Sequence, residues 1–224
     1  EFLLYTKKEI IWMIISIIIA SFISFIPVIP NDNPSKVIST LIIFLIIIVV
    51  SVTAKKIAAT HFAIKIEHRI YEWSRWGYYK RSALKKPFPM GLAFPFILGV
   101  FSLGYIKPFT FLQFDAVNYP EKRILKASGQ RRAERKEVIN EEDLGYTAAV
   151  GFYSLLVLAL FGGILSYKFN LLFGTELAKY AIYFGLWNLV PYGELDGNKL
   201  FFGVTIGWIF ILFLNLIGLL LVLI

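Results

Sequence analysis

Asp196 is the residue in this chain whose chemistry most needs a partner. It lies in the string Asn188-Leu189-Val190-Pro191-Tyr192-Gly193-Glu194-Leu195-Asp196-Gly197, which closes one apolar stretch just before another begins. A carboxylate between membrane spans is costly to keep and so takes a countercharge. Thiolate metal sites and disulfides are excluded because the chain has no cysteine, and its two imidazoles are His61 and His68. A plainer reading of the string is structural. Pro191 and Gly193 break a helix, Asp196 caps the next one and Gly197 relieves the turn; the carboxylate then bonds backbone N–H groups near Asn198 and Lys199. No G-x-S-x-G string and no phosphate-cradling glycine loop offers another chemistry.

The elements that must hold this string are membrane spans. Hydrophobic residues make up 58% of the 224 residues and charged residues 17%. A soluble domain carries about 45–50% apolar and about 25% charged residues, so the composition predicts an all-α polytopic membrane protein forming a single integral domain. Apolar stretches at residues 11–29, 37–54, 144–167 and 200–224 each reach the roughly 17–25 residues that cross a bilayer as a helix. Residues 171–190 form a weaker fifth span, since Glu176 and Lys179 lie within it. The sixth segment, 87–114, is apolar but carries Pro87, Pro89, Pro95 and Pro108 with Gly91, Gly99 and Gly104 between them. A regular helix does not carry that pattern, and non-helical backbone in a membrane needs protein or water around it. It is expected to form a re-entrant loop or broken hairpin.

Charge sets the expected direction. Residues 55–86 hold nine Lys or Arg and residues 107–136 hold eight. The positive-inside rule puts both blocks on the cytoplasmic side of a cell membrane, so 87–114 crosses an even number of times or not at all. The N-terminus with Lys7 and Lys8 then lies inside, the loop at Asn31-Asp32-Asn33 outside, and the C-terminal residue of the chain outside. The net charge of +8 suits loops at an anionic leaflet and argues against nucleic acid as a partner. Residues 115–143 form a charged cytoplasmic segment in which Arg131, Arg132, Arg135 and Lys136 can meet lipid phosphates. Phe62, Ile64, Ile66, His68 and Ile70 alternate with polar residues, which predicts a short strand at the membrane surface; a helical continuation of the second span competes with it. The first span exceeds signal-peptide length and lacks an Ala-x-Ala exit, so it is expected to stay. A chain without an initiator Met that ends inside an apolar run is expected to be a piece of a longer one.

The terminal string resembles the N-x-x-P-x-x-x-L-D-G motif of the site-2 proteases, which are intramembrane zinc metalloproteases. Asn188, Pro191, Leu195, Asp196 and Gly197 carry the match. Stretches such as Glu67-His68-Arg69-Ile70-Tyr71-Glu72-Trp73 and Lys85-Lys86-Pro87-Phe88-Pro89-Met90-Gly91 are similar to archaeal members, and Ala148-Ala149-Val150-Gly151 stands where the family has a glycine-bearing helix. The resemblance implies a site-2-protease-like fold in which Asp196 would be a zinc ligand and Asn188 would lie by the substrate path.

The family's other motif, H-E-x-x-H, is degenerate. Its position maps to Ser51-Val52-Thr53-Ala54-Lys55, so Ser51 and Lys55 replace the two imidazole ligands and Val52 replaces the general base. An ammonium repels a metal cation, and a valine takes no proton. The expectation is therefore a pseudoenzyme without catalytic residues, metal or other cofactor, in which Lys55 pairs with Asp196; Lys56 and Lys199 are the rival partners. Such a chain suits an accessory or structural subunit of a membrane complex, or a binder of transmembrane helices. The phenylalanines crowded at residues 88–114 serve either core packing or docking. The alternative is an active zinc protease with rearranged ligands His61, His68 and Asp196 and Glu67 as base. A small transporter or channel is a third reading, because a midplane Asp beside a broken helix also suits ion passage.

Overall fold

The computed structural model describes residues 5–26, 34–62, 64–75, 83–118 and 140–223. The loop at Asn31-Asp32-Asn33 and the basic cluster from Arg131 to Lys136 lie outside them. The described chain is mostly helical: α1 Lys7–Phe25, α2 Pro34–His61, α3 Met90–Phe101, α4 Glu141–Phe169, α5 Leu172–Leu189, α6 Asp196–Gly203 and α7 Thr205–Leu223. Four of these helices, α1, α2, α4 and α7, are long and apolar enough to cross a membrane. Helix α5 has the length, but Glu176, Lys179 and Asn188 dilute its apolar content, and it is not among the four. The stretch 200–224, expected as one span, is divided at Val204. Val204 leaves the helical region, with φ −145° and ψ 75°, beside Gly203, which packs so closely on Glu141 and Gly145 of α4 that a side chain there would meet backbone.

Capping explains where several helices start. Thr6 and Glu9 form a reciprocal capping box at α1. Asn140 caps α4, whose first turn carries Glu141, Glu142 and Asp143 where the helix dipole favours them. The helix ends at Asn170, which takes the left-handed conformation with φ 51° and reverses the chain into α5.

Between α2 and α4 the chain builds two small antiparallel ribbons. Strand β1 Ile64–Ile70 pairs with β4 Leu112–Asn118, His68 opposite Phe114; β2 Trp73–Arg75 pairs with β3 Ala83–Phe88. The alternation in β1 is realised as expected, since Ile64, Ile66, His68 and Ile70 are buried while Lys65 and Arg69 are exposed. Asp115, the first residue of the charged segment, is part of β4, where it pairs with Arg69.

Residues 87–114 form neither a single span nor a plain loop. Helix α3 starts against Tyr71, where Gly91 leaves room for the Phe111 carbonyl, and runs to Gly99, which packs on Ile23 near the far end of α1. After a turn with Leu103 and Gly104 at positive φ, the chain returns extended into β4. The returning residues Phe109, Phe111 and Phe114 are fully buried, whereas Phe88, Phe96 and Phe101 face outward. The phenylalanines thus divide between core and periphery. Phe109 packs with Phe44 of α2 and Tyr180 of α5 at ring separations of 5.1 and 6.2 Å, which ties the extended return into the helix bundle.

Candidate functional site

Non-helical backbone inside an apolar bundle leaves carbonyls that need donors. Asn188, in the last turn of α5, supplies one. Its side-chain amide donates to the Phe109 carbonyl of the extended return and to Phe184 O, each at 2.8 Å. Asn188→Leu should therefore destabilise the bundle by about 1–3 kcal/mol, because the buried Phe109 carbonyl loses its donor; denaturant titration in bicelles measures this.

Beyond Asn188 the helix breaks. Pro191 lacks an N–H, and Gly193 takes φ +59° against the Tyr71 hydroxyl, where a side chain would collide. Asn198 closes the turn by donating to Gly193 O at 2.6 Å. Gly197 lies on the Leu189 and Asn188 carbonyls with no space for a Cβ. This packing fixes the start of α6. Leu195 takes the N-cap position without a side-chain cap, and Asp196 is the first helical residue. The capping role considered for Asp196 is therefore not the one its geometry provides.

Instead, the Asp196 carboxylate faces α2. Lys55 Nζ lies 2.5 Å from Asp196 Oδ2, with the two side chains 5% and 6% exposed. Both groups are thus out of water, where a charge is tolerable only when paired. Gly151 of α4 makes the approach possible, since a Cβ there would lie 2.7 Å from Lys55 Cγ and 2.9 Å from Cδ. Gly151→Val should push the ammonium off the carboxylate and lower the thermal midpoint by several degrees, as for an overpacked core costing about 1–3 kcal/mol.

The two rival lysines have other partners. Lys56 Nζ pairs with Glu9 Oε2 at 2.8 Å. Lys199 donates to the Phe114 carbonyl and lies 4.0 Å from the centre of that ring. The Lys55 ammonium is 6.0 Å from the same ring centre. Asp196 Oδ1 has no hydrogen-bond partner among the described residues. Ser51 and Val52 are buried at 3% and 1% on the turn of α2 before Lys55.

A second buried carboxylate adjoins this pair. Glu9 is 1% exposed, and its oxygens accept from Thr6 N at 2.7 Å and His68 N at 2.8 Å as well as from Lys56. His68 Nδ1 stands 3.5 Å from Glu9 Oε1. Burial holds the His68 imidazole down at a pKa of about 4, with Glu9 opposing the shift and the Lys55 charge adding to it. The folded-state value lies below the ordinary 6.5, so the unfolded chain binds more protons between these limits. The contribution of His68 to stability is therefore complete above about pH 6.5 and lost as the pH falls towards 4. His68→Phe should flatten the acid limb of the stability profile.

The alternative metal ligands do not converge. His61 is exposed at the end of α2, its ring beside Phe62, and His68 is enclosed on β1 beside Glu9. Glu67, the base of that reading, is half-exposed with Lys65 at 3.6 Å. Among the described residues no group of three His, Asp or Glu is placed to hold a metal ion. Around Asp196, one carboxylate oxygen holds an ammonium, and the adjacent α2 positions are a hydroxyl and an aliphatic side chain.

Sequence reasoning missed Glu9 as a buried pairing residue. The Thr6-x-x-Glu9 spacing marks a helix start, but nothing local says that the cap is also buried. No protein-family model matches the chain, and neither a curated protein nor a solved structure matches it.

Proposed function

We propose that this chain is a non-proteolytic membrane protein with a site-2-protease-like arrangement, in which the Lys55 ammonium takes the electrostatic place of a catalytic metal. It serves as an accessory subunit of a membrane complex or as a binder of transmembrane helices. The observation that carries the reading is the buried Lys55–Asp196 pair at 2.5 Å, set between a degenerate H-E-x-x-H position and an intact N-x-x-P-x-x-x-L-D-G string. The ion pair leaves Asp196 unsuited to cation binding, and Val52 cannot activate water. In the membrane, the basic ribbons and the N-terminus lie at the cytoplasmic face and α7 runs outward.

Rebuilding the motif tests the reading. The wild-type protein, purified without chelator in the presence of zinc, should hold far less than one zinc per chain. Ser51→His/Val52→Glu/Lys55→His should take up about one zinc per chain, and lose it on adding Asp196→Ala. One zinc in the wild type, lost with Asp196→Ala, would establish the rearranged metalloprotease instead.

A further inference from the structure

Away from the ion pair, the start of α3, the end of α5 and the turn before α6 enclose an apolar slot of about 290 Å³. Two aromatic pairs wall it, Phe94 with Trp187 and Trp73 with Tyr192, at ring separations of 6.5 and 5.6 Å. Thr110 also lines it; this residue is 5% exposed, and its hydroxyl has no hydrogen-bond partner among the described residues. That oxygen is shielded from the open space, so the slot presents an apolar surface. The volume is at the small end for ligand sites, which suits one unbranched chain rather than a helix or a fused ring system.

The slot shares its Tyr71 and Trp73 walls with a polar cup formed also by Glu72, Ser74, Gly193 and Glu194. Glu194 is exposed. Glu72 has Arg69 at 3.7 Å, a separation at which a second cation can still share the carboxylate. Two carboxylates bordered by aromatic faces favour an ammonium group. The sign is informative because the whole chain carries +8, and its general field attracts anions.

We propose that the slot and cup together bind an amphiphile with a single apolar chain and a cationic amine head. The chain lies between the aromatic pairs, and the ammonium rests on Glu72 and Glu194. The site is separate from the Lys55–Asp196 pair and does not depend on the absence of proteolysis.

Tryptophan quenching tests it, since Trp73 and Trp187 line the slot. The full chain in phosphatidylcholine nanodiscs is titrated with dodecyltrimethylammonium brominated at its chain end, and in parallel with the same brominated chain bearing a sulfate head. The cationic probe should quench saturably, about tenfold more tightly than the anionic one. The saturable part should vanish in Trp73→Phe/Trp187→Phe. Glu194→Gln, at an exposed position, should cut the cation preference severalfold, and Met90→Trp should fill the slot and remove binding of either probe. Equal or tighter binding of the sulfate would overturn the proposal, as would a preference unchanged by Glu194→Gln. Binding of an apolar-basic peptide without binding of the amine would assign the site to a protein partner and overturn it too.

Discussion

Lys55→Met is expected to destabilise the protein by about 3–5 kcal/mol, because it leaves the Asp196 carboxylate buried without its countercharge. The size follows from burial at both ends of the bond, where the side chains are 5% and 6% exposed. An exposed pair of the same length would contribute less than about 1 kcal/mol. The double variant Lys55→Met/Asp196→Leu should recover most of the loss, since an apolar pair of similar volume needs no compensation in that site. Steric unfolding in bicelles gives the coupling between the two positions. A double variant as unstable as the sum of the singles would mean that the residues act independently.

The second large effect is expected at Glu9. This one carboxylate holds the first turn of α1 to β1 and α2, through Thr6 N, His68 N and Lys56 Nζ. Glu9→Ala removes an acceptor from three donors in a region with little water and should cost about 3–5 kcal/mol. Glu9→Gln keeps the shape and one acceptor but loses the charge, and should fall between the two. The readout that distinguishes a latch from general packing is local. Amide exchange at His68, and along β1, should rise in Glu9→Ala well before the α4–α5 hairpin is affected. Uniform acceleration across the bundle would contradict a local role.

Several parts of this arrangement were legible in the sequence because they depend on short-range rules. The alternation from Ile64 to Ile70 is a period-two pattern, and it forms β1. The prolines and glycines of residues 87–114 exclude one straight helix, and the chain there forms α3 with an extended return. The pairing of Lys55 with Asp196 comes instead from the resemblance, which sets Lys55 where a second imidazole of H-E-x-x-H would stand; spacing alone does not point it at Asp196. Other parts depend on contacts distant in the chain. Nothing near Gly203 announces that α4 packs against it, so the stretch 200–224 reads as one span although it breaks at Val204. Glu9 reads as a helix cap, and only the approach of β1 makes it a buried charge. Gly151 is one glycine among sixteen; its role appears once the Lys55 stem is seen to occupy the space of its missing side chain. The slot beside Thr110 likewise joins residues from five separate segments.

The most direct test of the electrostatic substitution is an experimental density map of the protein prepared with excess zinc, with diffraction data recorded at the zinc absorption edge. The account expects the Lys55 amine within hydrogen-bond distance of the Asp196 carboxylate and no anomalous peak between them. A strong anomalous peak on Asp196, with Lys55 displaced and an imidazole drawn in as a ligand, would contradict it.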